Sequence, residues 1–306
     1  MSQPEHRISV CMLAEAIGTY LLVFLGLGAV HSAVLTDSLT GLWQVGVVWG
    51  LAIMVAIYTV GGVSGAHINP AITIALASWK LFPRKRVVPY LIAQLIGAFL
   101  AAWTLFILFQ AQLTAKEVAK GVERGDPGSI VTAMCYGEYF PSPGSLAAGN
   151  EQLTEAELQD YSTSATTSQP PAFLAEFIGT AILAFLVVAI TDPKSHTHPD
   201  RLAPAFIGMT VTALICVLAP LTQACFNPAR DFGPRMFAML AGWGAAAMPG
   251  PIGSGVITVY IIAPIFGATF GAGLYHRVFR DLNVPETLPG RGLVDVDEQN
   301  DPGEVE

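Results

Sequence analysis

Apolar residues along this chain do not alternate with polar ones; they run in long blocks. Six blocks, near 8–30, 42–60, 87–109, 172–190, 202–221 and 256–275, approach the ~20 residues a helix needs to cross a bilayer. Each predicts a membrane-spanning helix, because a helix satisfies its own backbone hydrogen bonds where no water can. Hydrophobic residues make up 53% of the 306 positions and charged residues 12%, so the chain does not read as a water-soluble domain. Glu15 interrupts the first block and no small-residue cleavage pattern follows, which predicts a retained span rather than a removed signal peptide.

Two further apolar pieces are too short to span, and each opens on the same tripeptide: Asn69-Pro70-Ala71 and Asn227-Pro228-Ala229. Asn is a preferred N-cap, and Pro suits the first helical position because its missing N–H would be unpaired there anyway. Half-length helices are therefore expected at 69–80 and 227–240. The halves repeat: Ala14-Glu15 and Gly18-Thr19 recur as Ala175-Glu176 and Gly179-Thr180, and Gly97-Ala98 as Gly267-Ala268. Three spans per half is an odd number, so the second half must sit inverted relative to the first. The fold expected is an all-α membrane protein of six transmembrane helices plus two re-entrant half-helices in an inverted 3+3 repeat. The expected divisions are an amino-terminal segment 1–7, a first repeat 8–110, a long external loop 111–171, a second repeat 172–278 and an acidic tail 279–306. A helix of ~12 residues rises ~18 Å, so the two half-helices together make about one full span with their caps meeting in the middle.

Charge sets the orientation. Net charge is −8, with the acids gathered in the long loop and the tail, and no basic face is available for nucleic acid. Arg7, Lys80, Arg84, Lys85, Arg86, Lys194, Arg201, Arg277, Arg280 and Arg291 all fall on one side if six helices alternate, which predicts that side and both termini to be cytoplasmic. Glu15 and Glu176 are charges inside apolar spans; they either meet a substrate or accept backbone N–H groups from the irregular loops 61–68 and 222–226, and the second reading is the stronger. Such loops at membrane depth must border a watery path. Cys11, Cys135, Cys216 and Cys225 have no metal-ligand spacing, no nucleophile–base pair stands out, and no cofactor or metal is expected.

The stretches from Ser64 through Asn69-Pro70-Ala71 and from Phe226 through Asn227-Pro228-Ala229-Arg230-Asp231 to Pro234, set among six apolar spans, resemble the aquaporin (major intrinsic protein) family. Asp231, with Arg235 and Pro264, is similar to its aquaglyceroporin, or glycerol uptake facilitator, branch. The likeness runs from about 9 to 275 apart from 145–170. It implies the aquaporin fold, a homotetramer with one pore per chain, and pore-lining backbone at Gly65, Ala66, His67, Cys225 and Phe226. It also implies an outer constriction falling, by motif alignment, on Trp49, Ile215, Ala224 and Arg230. Arg230 would offer a fork of donors to hydroxyl oxygens while Trp49 gives the carbon skeleton an apolar wall. Typical glycerol facilitators place a glycine and a phenylalanine where Ile215 and Ala224 stand; the set here is closer to the plant nodulin-26-like intrinsic proteins, which also pass neutral metalloid hydroxides.

The function expected is passive passage of small neutral solutes, glycerol and water first, across a plasma or bacterial inner membrane, with ions and protons excluded. Alternatives are a channel for arsenous, boric or silicic acid or urea and, from another class, an ion-coupled secondary transporter, which would need a coupling carboxylate at mid-membrane. His67 is read as a brace for its loop rather than a proton relay. Cys225 is read equally as a packing residue or a mercurial target, and the Ser/Thr-rich acidic stretch 152–169 as a solvated external flap.

Overall fold

The computed structural model describes residues 6–163, 167–248 and 253–282; most of the segment 1–7, Arg291 and the tail from 283 on lie outside the described residues. In chain order the helices longer than two turns are α1 (Ile8–Thr36), α2 (Leu42–Ser64), the short α3 (Pro70–Ser78), α4 (Val87–Lys120), α5 (Glu155–Thr163), α6 (Gln169–Thr191), α7 (Ala203–Thr222), the short α8 (Pro228–Ala238) and α9 (Ala263–Leu274). Wider π turns flank α9, at Thr258–Ile262 and Tyr275–Phe279, and extend it to a sixth span. Among the described residues six helices are long and apolar enough to cross a membrane, and the chain is an integral membrane protein.

The packing follows the repeat. α1 packs on α2 and α4, α6 packs on α7 and α9, and the halves join where α2 meets α7. Each half-helix packs on a span of the other half, α3 against α9 and α8 against α4. Small residues permit these contacts: a Cβ on Gly97 would strike the carbonyl of Ala16, and one on Gly267 the carbonyl of Phe177. Those are corresponding positions of the two repeats.

The ends of the spans divide the charge. His6, Arg86 and Cys11 meet at one end, where an Arg86 Nη2–H donates to the His6 carbonyl at 3.2 Å. Arg280 lies 3.7 Å from Asp192 at the same end, and the Tyr58 hydroxyl donates to the carbonyl of Arg201 at 2.7 Å. This basic end is opposite the insertion end, which carries the connection between α4 and α6.

Several boundaries differ from expectation: α1 runs on from 30 to Thr36 and α2 from 60 to Ser64, so the irregular loop expected at 61–68 begins only at Gly65. α4 continues from Phe109 to Lys120, about three more turns, because the polar sequence after 109 is good helix former and finds partners beyond the apolar zone. There Lys116 donates to the Gly149 carbonyl at 2.6 Å and Lys120 to the Ala148 carbonyl at 2.5 Å. The stretch 152–169 is solvated over most of 152–160, as expected, but it is tied down: the Leu153 N–H donates to the Lys120 carbonyl at 3.0 Å and the Tyr161 hydroxyl to the Pro141 carbonyl at 2.9 Å, beside the buried Leu146 and Ala147. Residues 164–166 of that stretch lie outside the described residues. Finally, the half-helices end at Ser78 and Ala238, before 80 and 240. The Leu81 N–H closes back on the Leu76 carbonyl at 2.9 Å after the left-handed Lys80, and a π turn at Met239–Trp243 containing the left-handed Gly242 takes over from α8.

Candidate functional site

The loops leading into the half-helices share an unusual backbone. Gly65, Ala66 and Ile68 in the first, and Gln223, Ala224 and Phe226 in the second, all have positive φ. These are matching positions of the repeat. For a non-glycine residue the left-handed region costs about 1–2 kcal/mol, so something must hold it. The glutamates do. Glu15 Oε1 accepts from the Ser64 hydroxyl at 2.6 Å and the His67 N–H at 2.9 Å, while Oε2 accepts from the Ile68 N–H and the Gln94 amide, both at 2.7 Å. Glu176 repeats the pattern: Oε1 takes the Thr222 hydroxyl at 2.6 Å and the Cys225 N–H at 2.9 Å, and Oε2 the Phe226 N–H at 2.8 Å. A hydrogen bond to a charged group contributes about 1.5–3 kcal/mol, enough to offset the strained residues it anchors. Both carboxylates are fully buried behind the loops.

Two tyrosines complete the braces, Tyr90 donating to the Ser64 carbonyl at 2.9 Å and Tyr260 to the Thr222 carbonyl at 3.0 Å. His67 Nδ1 lies 3.1 Å from the Thr73 hydroxyl and its ring packs on Phe82 and Tyr90.

The two caps meet and hold each other. Asn69 Oδ1 accepts from the Ala71 N–H at 2.8 Å, and Asn227 Oδ1 from the Ala229 N–H at 3.1 Å. Each side-chain amide then reaches across: Asn69 Nδ2 donates to the Phe226 carbonyl and Asn227 Nδ2 to the Ile68 carbonyl, both at 2.8 Å. An asparagine amide has two N–H donors. One is spent on the opposite loop, leaving the second on each residue for the space between the halves.

That space is open on both sides of the pair. Towards the basic end lies a cavity of about 230 Å³, lined by Gly65, Ala66, His67 and Ile68 of the first loop and by apolar residues including Leu183 and Ile207. Towards the insertion end a cavity of about 40 Å³ is lined by Trp49, Ile215, Ala224, Cys225, Phe226 and Arg230. Asn69 and Asn227 line both. The second cavity is the smaller, and the four residues expected at an outer constriction are among those that line it. Arg230 lies over the Trp49 ring with its guanidinium carbon 4.2 Å from the ring centroid. Cys225 is buried, its thiol 3.3 Å from the Asn227 carbonyl.

Asp231 faces away from this path. It accepts from Arg235 Nε at 2.8 Å in a fully buried pair, and from the Glu138 N–H at 2.7 Å. Glu138, on the connection after α4, forms an ion pair with Arg230. Sequence reading missed Glu138, Gln94 and the two loop-end hydroxyls of Ser64 and Thr222. Gln94 carried a signal, a lone amide in an apolar span, and Glu138 another, a lone acid between Tyr136 and Tyr139.

The family described as Major intrinsic protein matches residues 5–276 of the chain. The chain is 37% identical over 273 residues to the glycerol uptake facilitator protein of Haemophilus influenzae, an alignment that covers 89% of this chain and 95% of that one. It is 36% identical over 272 residues to the propanediol uptake facilitator PduF of Salmonella typhimurium, covering 89% and 94%. The aquaglyceroporin of Plasmodium falciparum has a similar solved structure, with a TM-score of 0.72 over 90% of this chain and 100% of the other. At 23% identity that likeness speaks to the fold alone.

Proposed function

The chain belongs to the major intrinsic protein family, and from that premise we propose that it is a passive channel through which small neutral polyols, glycerol first, and water cross the membrane. One observation carries the reading: Asn69 and Asn227 border cavities on both sides while each keeps a donor unspent. A hydroxyl passing between them accepts from the amides, while the carbonyls of the two strained loops serve as acceptors before and after. Apolar walls at Trp49, Leu183 and Ile207 suit the carbon face of a polyol. The names of the relatives support the same substrate class.

Ions are rejected because the path replaces only part of a hydration shell. Each half-helix also turns the positive end of its dipole, equivalent to about +0.5 charge, towards the middle, which disfavours cations. A hydroxyl that accepts from both asparagines cannot also relay a proton through the pair. Neither Glu15 nor Glu176 is free to bind a coupling ion, since each accepts three or more hydrogen bonds from its own loop and neighbours. Transport is therefore downhill.

The channel sits in the membrane as a homotetramer with a pore in each chain, the basic end and both termini cytoplasmic and the insertion outside. The basic residues at one end support that orientation, and the exposed apolar faces of the spans, such as Trp103, Val217 and Phe266, fit burial against lipid or a second copy. A second substrate class, neutral metalloid hydroxides such as arsenous acid, is favoured by the pairing of Ile215 with Ala224, which puts no second aromatic among the four constriction residues; the Phe226 ring packs against Gly179 instead. Stopped-flow re-swelling of proteoliposomes with glycerol, urea, arsenous acid and a larger polyol in turn tests the reading. Glycerol flux well above that of empty vesicles and unaffected by an uncoupler is expected; accumulation against a gradient, or no flux, would reject it.

A further inference from the structure

Arg230 does not face the path as a bare cation. Glu138 holds it in an ion pair, and both side chains are buried, 5% exposed for Glu138 and 4% for Arg230. The placement of Glu138 is built. Its N–H donates to Asp231 Oδ1 at 2.7 Å, its carbonyl accepts from Arg235 Nη2, and the next N–H, of Tyr139, donates to Gln223 Oε1 at 2.7 Å. These contacts tie the insertion-end connection to α8 and to the loop before it. Asp231 is already engaged, accepting both the Glu138 N–H and Arg235 Nε.

The other charges near the path leave this one to matter. Asp231 and Arg235 close on each other. Glu15 and Glu176 sit behind their loops at the middle, each spent on three or more hydrogen bonds there. Among the described residues that line the small cavity, the Arg230 guanidinium is the full charge, and it is paired with Glu138. Without it, a constriction already approached through two positive helix ends would attract anions.

We propose that Glu138 is a specificity-determining residue that excludes small anions, by presenting Arg230 to solutes as a hydrogen-bond donor without net positive charge. The same pair leaves neutral polyols admitted. This rests on the channel reading of the site, and the experiment separates the two.

Wild type, Glu138→Gln and Glu138→Gln combined with Arg230→Val are reconstituted in lipid. Glycerol re-swelling is measured on vesicles, and conductance and reversal potential in planar bilayers under a potassium formate gradient. Gln keeps the shape and a hydrogen-bond acceptor but removes the charge. Expected is no formate current in wild type, a current in Glu138→Gln at least about tenfold above background with a reversal potential on the anion side, and its loss when Arg230 is also replaced; a unit charge a few ångströms away is worth several RT in a partly dry site. Glu138→Ser is the second variant and should behave as Glu138→Gln does. Variants that pass glycerol yet no more formate than wild type would overturn the proposal, as would a formate current that survives loss of Arg230. Membrane-inserted protein in which both single variants pass neither solute would also overturn it, by making Glu138 only a brace. Wild type that passes no glycerol would instead reject the channel reading.

Discussion

Gly50 and Gly208 lie backbone against backbone where α2 crosses α7: a Cβ on Gly208 would strike the carbonyl of Gly50, and one on Gly50 would strike the Thr212 hydroxyl and the Gly208 carbonyl. They are separated by the same 158 positions as Asn69 and Asn227. The contact that joins the halves is thus itself symmetric, and it draws together the two spans that carry Trp49 and Ile215. Gly208→Leu is expected to force the helices apart. The loss should exceed the about 1–3 kcal/mol of ordinary overpacking, because backbone cannot step aside as a side chain can. The thermal midpoint of the protein in detergent, read by aggregation, should fall by many degrees; a variant as stable as wild type would mean the crossing is looser than described.

Gln94 is the brace of the first repeat that has no counterpart in the second, where Pro264 stands at the corresponding position. Its amide donates to Glu15 Oε2 at 2.7 Å and to the Thr73 hydroxyl at 3.1 Å. Gln94→Leu removes a charge-assisted bond to a buried carboxylate and should destabilise the protein by about 1.5–3 kcal/mol. Glu15→Ala, which releases two loop N–H groups and two other donors at once, should cost more and abolish glycerol flux. Chemical unfolding followed by tryptophan fluorescence ranks the two, and the reverse order would contradict the bracing role.

Arg230→Val opens the constriction and leaves Glu138 as an unpaired buried acid. Removing one partner of a buried ion pair costs about 3–5 kcal/mol, so the single variant should be less stable than the double variant with Glu138→Gln. The double variant should admit polyols larger than glycerol that wild type holds back. Vesicle re-swelling against a series of polyols reads this directly; an unchanged size cut-off would remove Arg230 from the constriction.

Ala224 is the one small side chain among the four residues expected at the constriction, all of which line the small cavity. Ala224→Phe should refill it and reduce passage of arsenous acid and bulky polyols by tenfold or more while sparing water. Equal flux of every solute in both proteins would place the size filter elsewhere.

Much of this architecture is legible in the sequence. The spans showed as apolar blocks because lipid permits few polar residues, and Asn69 and Asn227 showed because a cap followed by Pro has a local meaning that repeats. Glu15 and Glu176 stood out because a charge in an apolar span needs a partner. The left-handed residues at Ala66, Ile68, Ala224 and Phe226 were not legible, since nothing in those side chains asks for positive φ; the conformation is imposed by the carboxylate behind it. Glu138 was overlooked for a related reason. Its partner lies 92 positions along the chain, in a connection with no period to read. The docking of the insertion likewise depends on Lys116 and Lys120 meeting bare carbonyls, which composition reads as solvated charge.

The most direct test of a neutral single-file path through Asn69 and Asn227 measures glycerol and protons in the same vesicles. Proteoliposomes loaded with a pH-reporting dye are exposed first to a glycerol gradient and then to a pH step under a potassium diffusion potential. Re-swelling in glycerol many-fold faster than in empty vesicles, with dye response no faster than in empty vesicles, is the expected result. Proton entry that rises in step with the amount of reconstituted protein, or glycerol entry no faster than through bare lipid, would contradict it.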